Sequence, residues 1–230
     1  MRSLRAGLIA LAVTGLATIA ARAQAQEPVS TVSDNLKASM AALRHYEWIE
    51  TAVISIKGEE KARKTKRCYY DAEGKLQKVA TDDGTEGGKK KRGLRGKAVA
   101  NKTEEIGTAM EQAIALVHGY IPPDPARIQA AKAAGRLSIR PADANGRAGL
   151  DIKDYLKPGD LLTIEVDVTA NRVLKVAVSS YTTAKDKDAV DVVADFETLP
   201  DGTTHAATTN FDLKSAGATI TVLNSGYKKT

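Results

Sequence analysis

The chain has 230 residues, 43% apolar, 27% charged and 4% aromatic, with a single cysteine and a formal net charge of +6. The apolar fraction excludes a disordered chain, and one cysteine excludes an intramolecular disulfide framework. No uninterrupted apolar stretch reaches ~20 residues, which excludes a bundle of membrane-spanning helices and leaves a soluble, mostly globular protein.

Arg2 and Arg5 form a positive start, and the uncharged run Ala6–Ala21 follows. Two A-x-A patterns, Ala21-Arg22-Ala23 and Ala23-Gln24-Ala25, come next. This is the architecture of a secretory signal peptide, assigned to residues 1–25, with either pattern available for cleavage. No cysteine stands at its end to carry a lipid anchor. The expected product is exported, periplasmic or extracellular, and soluble after cleavage. Residues 26–230 then form a single domain. Losing Arg2, Arg5 and Arg22 lowers the net charge to +3.

Ser33 or Asp34 is placed to cap a first helix, with Leu36, Met40 and Leu43 as its buried stripe. At Tyr46 the period changes to two. Tyr46, Trp48, Ala52, Ile54 and Ile56 share one strand face; Glu47, Thr51, Ser55 and Lys57 share the other. A second strand, Ala62–Tyr70, is basic on both faces. The turn Asp71-Ala72-Glu73-Gly74 leads into a third, Leu76–Val79. Residues 82–97 hold five glycines and almost nothing apolar, which predicts a flexible loop.

A helix is predicted over Lys102–Gly119, with Ile106, Met110, Ala113, Ile114 and Val117 on one side. Asp124-Pro125 caps and opens a short alanine-rich helix that stops at Gly135. Beyond it the pattern is that of antiparallel sheet. Arg136–Arg140 and Gly149–Asp154 are short strands. Leu162, Ile164, Val166 and Val168 alternate inward against Thr163, Glu165, Asp167 and Thr169. Strands follow over Arg172–Thr182, through Val190, Val192, Ala194 and Phe196, through Ala207, Phe211 and Leu213, and over Thr219–Ser225. Consecutive strands at this spacing pair as a meander. The expected fold is α+β: a curved antiparallel sheet, half-barrel-like, of seven to eleven strands. An N-terminal helix and two mid-chain helices pack on its concave face.

The search for chemistry is mostly negative, and a non-enzymatic protein without cofactor or metal is expected. His45, His118 and His205 lie far apart and outside any H-x-x-x-H spacing, and no second cysteine joins Cys68. Gly87-Gly88-Lys89 lacks both the earlier glycine and the Ser/Thr of a phosphate loop. Glu165 with Asp167, and Asp191 with Asp195 and Glu197, occupy the polar half of amphipathic strands, where Lys175 is placed to pair with either set. That is a solvated face and not a glycosidase pair.

Two features remain. Between Lys57 and Lys102 the chain carries 15 Lys and Arg against 7 Asp and Glu. That basic segment is either a solvated loop or a contact for anionic membrane or cell-wall polymer, through Lys89, Lys90, Lys91, Arg92, Arg95 and Lys97. Nucleic acid is not expected, since few aromatics interleave with the charges. The second feature is the long apolar sheet face, which is either a filled core or an open groove.

The order of elements resembles that of the LolA/LolB-like envelope lipoprotein carriers. The likeness rests on the helix before Tyr46-Glu47-Trp48, the helices over Lys102–Gly119 and Asp124–Ala134, and the meander from Leu161 through Leu199-Pro200-Asp201-Gly202 to Tyr227. The resemblance implies helices that lid a concave sheet and a lipid or lipoprotein ligand between them. Candidate lining residues are Trp48, Ile54, Ile164, Val166, Phe196 and Phe211 on the sheet, with Ile106, Met110 and Ile114 on the lid. The alternative is a structural or interaction protein of the envelope whose core is filled.

Overall fold

A computed structural model describes residues 27–81, 94–184 and 188–230. The expected signal peptide and Lys89, Lys90, Lys91 and Arg92 lie outside the described residues. Helix α1 (Glu27–Ala42) and a single 3₁₀ turn (Leu43–His45) lead into strands β1 (Tyr46–Ile56), β2 (Glu59–Tyr70) and β3 (Leu76–Ala80). Helices α2 (Leu94–Val117) and α3 (Pro125–Ala133) follow. The rest is sheet: β4 (Leu137–Arg140), β5 (Arg147–Lys153), β6 (Leu161–Asp167), β7 (Arg172–Tyr181), β8 (Ala189–Thr198), β9 (Thr204–Leu213) and β10 (Ala218–Lys229).

The ten described strands form one antiparallel sheet in the order β3-β2-β1-β10-β9-β8-β7-β6-β5-β4. Two meanders, β1–β3 and β4–β10, therefore meet at the β1–β10 seam. The sheet is open: β3 and β4 are its edges, and four of its ladders shift register by a bulge. Bulges bend a strand and raise its local twist, which suits a curved sheet. The β1–β2 hairpin turns on Lys57 and Gly58, both at positive φ (53° and 78°), the pair of conformations a two-residue type I′ turn requires.

Antiparallel register turns the period-two pattern into continuous rows. One row reads Ala62, Ile54, Ile220, Phe211, Val192, Val178, Leu162, Ile152, Leu137 across nine strands. The next reads Lys64, Ala52, Val222, Thr209, Ala194, Val176, Ile164, Leu150, Ile139. The three described helices cover parts of this face between β4 and β9: α1 packs on β7 and β9, α2 on β9, and α3 on β4 and β5. Beneath them Leu162, Ile152, Val176 and Ile220 are buried together with Leu36, Ile106, Ala113 and Ile128 of the helices.

Several elements differ from expectation. The buried stripe of α1 is Ser33, Leu36 and Ser39, whereas Met40 is 42% exposed. The serines are tolerated because each finds a partner: Thr204 N–H donates to Ser39 Oγ at 3.0 Å, and Ser33 Oγ donates to the Pro123 carbonyl at 3.5 Å. That helix also begins at Glu27, ahead of the expected Ser33 or Asp34 cap. Helix α2 begins at Leu94, so residues 94–97 of the expected loop are helical. The run from Leu94 to Ala100 breaks the helix rule only at Gly96, a cost that a long helix absorbs.

The convex face is polar, as the alternation predicts. Lys175 pairs with Asp195 (3.2 Å), Arg172 with Asp167 (3.3 Å) and Lys214 with Asp191 (3.2 Å). Arg140 reaches Asp151 at 3.2 Å and Glu165 at 3.6 Å by lying across Gly149, where a Cβ would sit 2.6 Å from its guanidinium.

Candidate functional site

The concave face changes character along the sheet. In the nine-strand row, Ile220, Phe211, Val192, Val178, Leu162 and Ile152 are each no more than 6% exposed. At β1 the cover thins: every residue from Glu47 to Ile56 is half-buried, including Ala52, Ile54 and Ile56 on the concave side. Val222 of β10 is half-buried beside them. An apolar strip two strands wide thus continues out of the packed core into partial solvent.

This strip has a polar margin. One row further along, Glu50 stands opposite Lys66 on β2 and Asn224 on β10. Lys78 of β3 takes the charge of Glu50 at 2.5 Å. Beyond this row lies an aromatic cluster. Tyr227 stacks on Trp48 (centroids 5.6 Å apart, 14° between planes), lies 4.2 Å from the His205 ring and meets Tyr46 edge-on at 6.2 Å. Tyr70 is 6.0 Å from Trp48. Trp48 Nε1 donates to Asn224 Oδ1 at 3.2 Å, tying the indole to the polar row. Burial pushes the Tyr227 hydroxyl above its usual range and raises Cys68, which is fully buried, in the same way. Burial also lowers His205, whose Nδ1 is buried without a hydrogen-bond partner among the described residues.

A second polar knot pins the helical layer. The Asp160 carboxylate, 2% exposed, accepts from the Tyr120 hydroxyl at 2.6 Å and from the backbone N–H groups of Tyr155, Leu156 and Lys157 at 2.6, 3.0 and 3.0 Å. Ser180 Oγ lies 2.8 Å from the same hydroxyl. The Tyr155 hydroxyl accepts from the Asp124 N–H at 2.7 Å. Every group here is satisfied, and its role is to hold the α2–α3 connection to the β5–β6 turn and β7.

Seven of the nine expected lining residues belong to one apolar cluster or pack against it, and Trp48 and Ile114 stand outside it. Ile164, Val166, Phe211 and Ile106 are buried in packing, and Phe196, Ile54 and Met110 are half-buried against that core. Trp48 belongs to the aromatic cluster at the seam. Ile114 is 38% exposed. At 100° per residue it stands about 80° round from Ile106, at the margin of the stripe that Ile106, Met110, Ala113 and Val117 define. Arg95 and Lys97 fall within α2, and their side chains are outside the described residues. Lys64, Lys66, Val222 and Tyr227 are concave-face residues missing from the expected lining. Lys64 and Lys66 were visible as part of a basic strand, but their face follows only from β1–β2 register.

Among the described residues no group of three or more His, Cys, Asp and Glu could hold a metal ion. No described helix is long and apolar enough to cross a membrane.

No family model matches the chain, and no curated protein does. Solved structures do. A DUF1329 family protein from Desulfovibrio piger is similar at 8% identity and a TM-score of 0.39, over 88% of this chain and 93% of that one. A LolA superfamily protein from Nitrosomonas europaea aligns at 8% identity and 0.36, over 85% and 93%. An outer membrane lipoprotein-sorting protein domain from Vibrio parahaemolyticus aligns at 8% and 0.35, over 88% and 93%. The likeness is a distant one of fold.

Proposed function

We propose that this is a non-enzymatic, exported envelope protein that binds a lipid or another apolar ligand on the concave face of its sheet. One observation carries the proposal: the apolar rows run past the helix-covered core, leaving Ala52, Ile54, Ile56 and Val222 half-buried at the β1–β10 seam. A monomer gains by burying such a strip, at about 25 cal/mol per Å² of apolar surface removed from water. The ligand position that follows is the seam, where apolar side chains are half-buried, while Ile164, Val166, Phe211 and Ile106 are buried.

The test is purification without detergent, followed by organic extraction and mass spectrometry. Reproducible recovery of lipid is expected, together with its loss from an Ile54→Ser, Val222→Ser variant. Reproducible absence of lipid would return the protein to the filled-core alternative, an envelope structural or interaction protein.

The basic segment is a second part of the proposal. Lys89, Lys90, Lys91 and Arg92, with Arg95 and Lys97, give weak attraction to anionic membrane or cell-wall polymer, on the order of 1 kcal/mol per cation near the surface. Changing Lys89–Arg92 to Ser is expected to reduce co-sedimentation with anionic vesicles at low salt and leave folding stability nearly unchanged. Binding insensitive to salt would contradict this part.

A further inference from the structure

Strand β2 carries five cations between Lys61 and Arg67, and the register sorts them. Arg63 and Arg67 point to the convex side, where they pair with Glu60 (2.9 Å) and Glu47 (3.4 Å). Lys61, at the bulge opposite Ile54 and Ser55, pairs with Glu59. Lys64 and Lys66 stand opposite Ala52 and Glu50, on the face that buries Ile220. Neither forms an ion pair among the described residues, and the Glu50 charge is already taken by Lys78. Among the described residues, two ammonium groups without an ion-pair partner therefore border the half-buried apolar strip.

We propose that the seam recognises a single-chain amphiphile with an anionic head, the head held by Lys64 and Lys66 and the tail laid over Ala52, Ile54, Ile56 and Val222. The inference rests on the proposed function and names its ligand class. Geometry limits the ligand to one chain. The strip is two strands wide, or about 5–10 Å, since neighbouring strands lie ~4.8 Å apart. From the Glu50–Lys66 row to Ile56 is six residues, about 20 Å at ~3.3 Å per residue, the reach of one long acyl chain. Charge complementarity sets the head. A neutral head offers the two ammonium groups no counter-charge and a zwitterionic head adds a cation beside them, whereas a carboxylate accepts from both, and charge-assisted hydrogen bonds are the stronger kind.

Trp48 provides the readout. It is the only tryptophan in the chain and lies on the same face, one row beyond Glu50. Delipidated full-length protein is titrated with oleate and, separately, with oleyl alcohol, which has the same tail without charge, following Trp48 emission. Wild type is expected to bind both, with oleate the tighter. A Lys64→Ser, Lys66→Ser variant should lose about tenfold in oleate affinity and keep its affinity for the alcohol. A Lys64→Arg, Lys66→Arg variant with unchanged Tm should retain oleate binding, which separates lost charge from lost folding. If the serine variant binds oleate as tightly as wild type, or weakens equally for both probes, head recognition by these lysines is wrong while the apolar site stands. If wild type binds neither probe, the proposed function fails and this inference with it.

Discussion

Among the described residues, buried polar side-chain atoms are satisfied except Arg172 Nε and His205 Nδ1. Asp160 answers four donors, so removing it leaves three N–H groups without their acceptor and the Tyr120 hydroxyl with Ser180 alone. Asp160→Ala is expected to cost about 3 kcal/mol or more, lowering Tm by roughly 10 °C in a thermal melt. Tyr120→Phe should cost about 1–2 kcal/mol, since it removes one donor and leaves the three backbone bonds to the carboxylate. His205 is the opposite case. Burial holds its pKa below the ordinary 6.5. As pH falls below that value the unfolded chain takes up a proton that the folded one resists, so the unfolded state binds more protons and stability declines. The contribution is complete above about pH 6.5 and shrinks as pH falls through the folded value. Chemical denaturation at a series of pH values from about 7.5 to 5 should show this decline, and His205→Phe should flatten it. An unchanged slope in the variant would place the proton uptake elsewhere.

Elements were more legible than their ends. The sheet strands from β5 to β10 follow the alternation closely, because one face is buried and a one-residue slip would expose all of it. Aspartates punctuate the turns before and between them: Asp143 accepts from Asn145 N–H ahead of β5, Asp167 from Thr169 and Ala170 N–H, and Asp201 from Thr203 N–H. The cap of α3 was equally plain, with Asp124 Oδ1 accepting from Ala126 N–H at 2.8 Å and Pro125 opening the helix. Asp124→Ala is expected to destabilise the fold by about 1 kcal/mol, measured as a lower urea midpoint at constant slope. Helix α1 was misjudged because its inward side carries Ser33 and Ser39, and a hydrophobicity pattern cannot see that Thr204 and Pro123 wait for those hydroxyls. The aromatic cluster was illegible for a related reason. Trp48, Tyr227, Tyr70 and His205 come from four strands, and only the seam between two meanders brings them together.

At the scale of the whole molecule, the β1–β10 seam joins two sequence-distant meanders and places the candidate site at their junction. The two are stitched at one end by Asp201, which binds the Tyr46 hydroxyl at 2.6 Å and the Lys229 ammonium at 2.9 Å. Those partners hold its carboxyl well below the usual carboxylate range. The side chains beneath the helices are buried among one another, whereas those of β1 are half-buried at the seam. Four bulges interrupt the described ladders, each with its extra residue on one strand: Lys61 of β2, Leu174 of β7, Ala207 of β9, and Gly226 or Tyr227 of β10 opposite Trp48. They carry a consequence for how this protein tolerates changes in length. Within a regular strand, gaining or losing one residue turns every later side chain to the wrong face, so viable indels there come in pairs. A bulge already holds an odd residue. Single-residue deletions should therefore be survivable at these four places and almost nowhere else in the sheet, each one trading local curvature for a straight ladder.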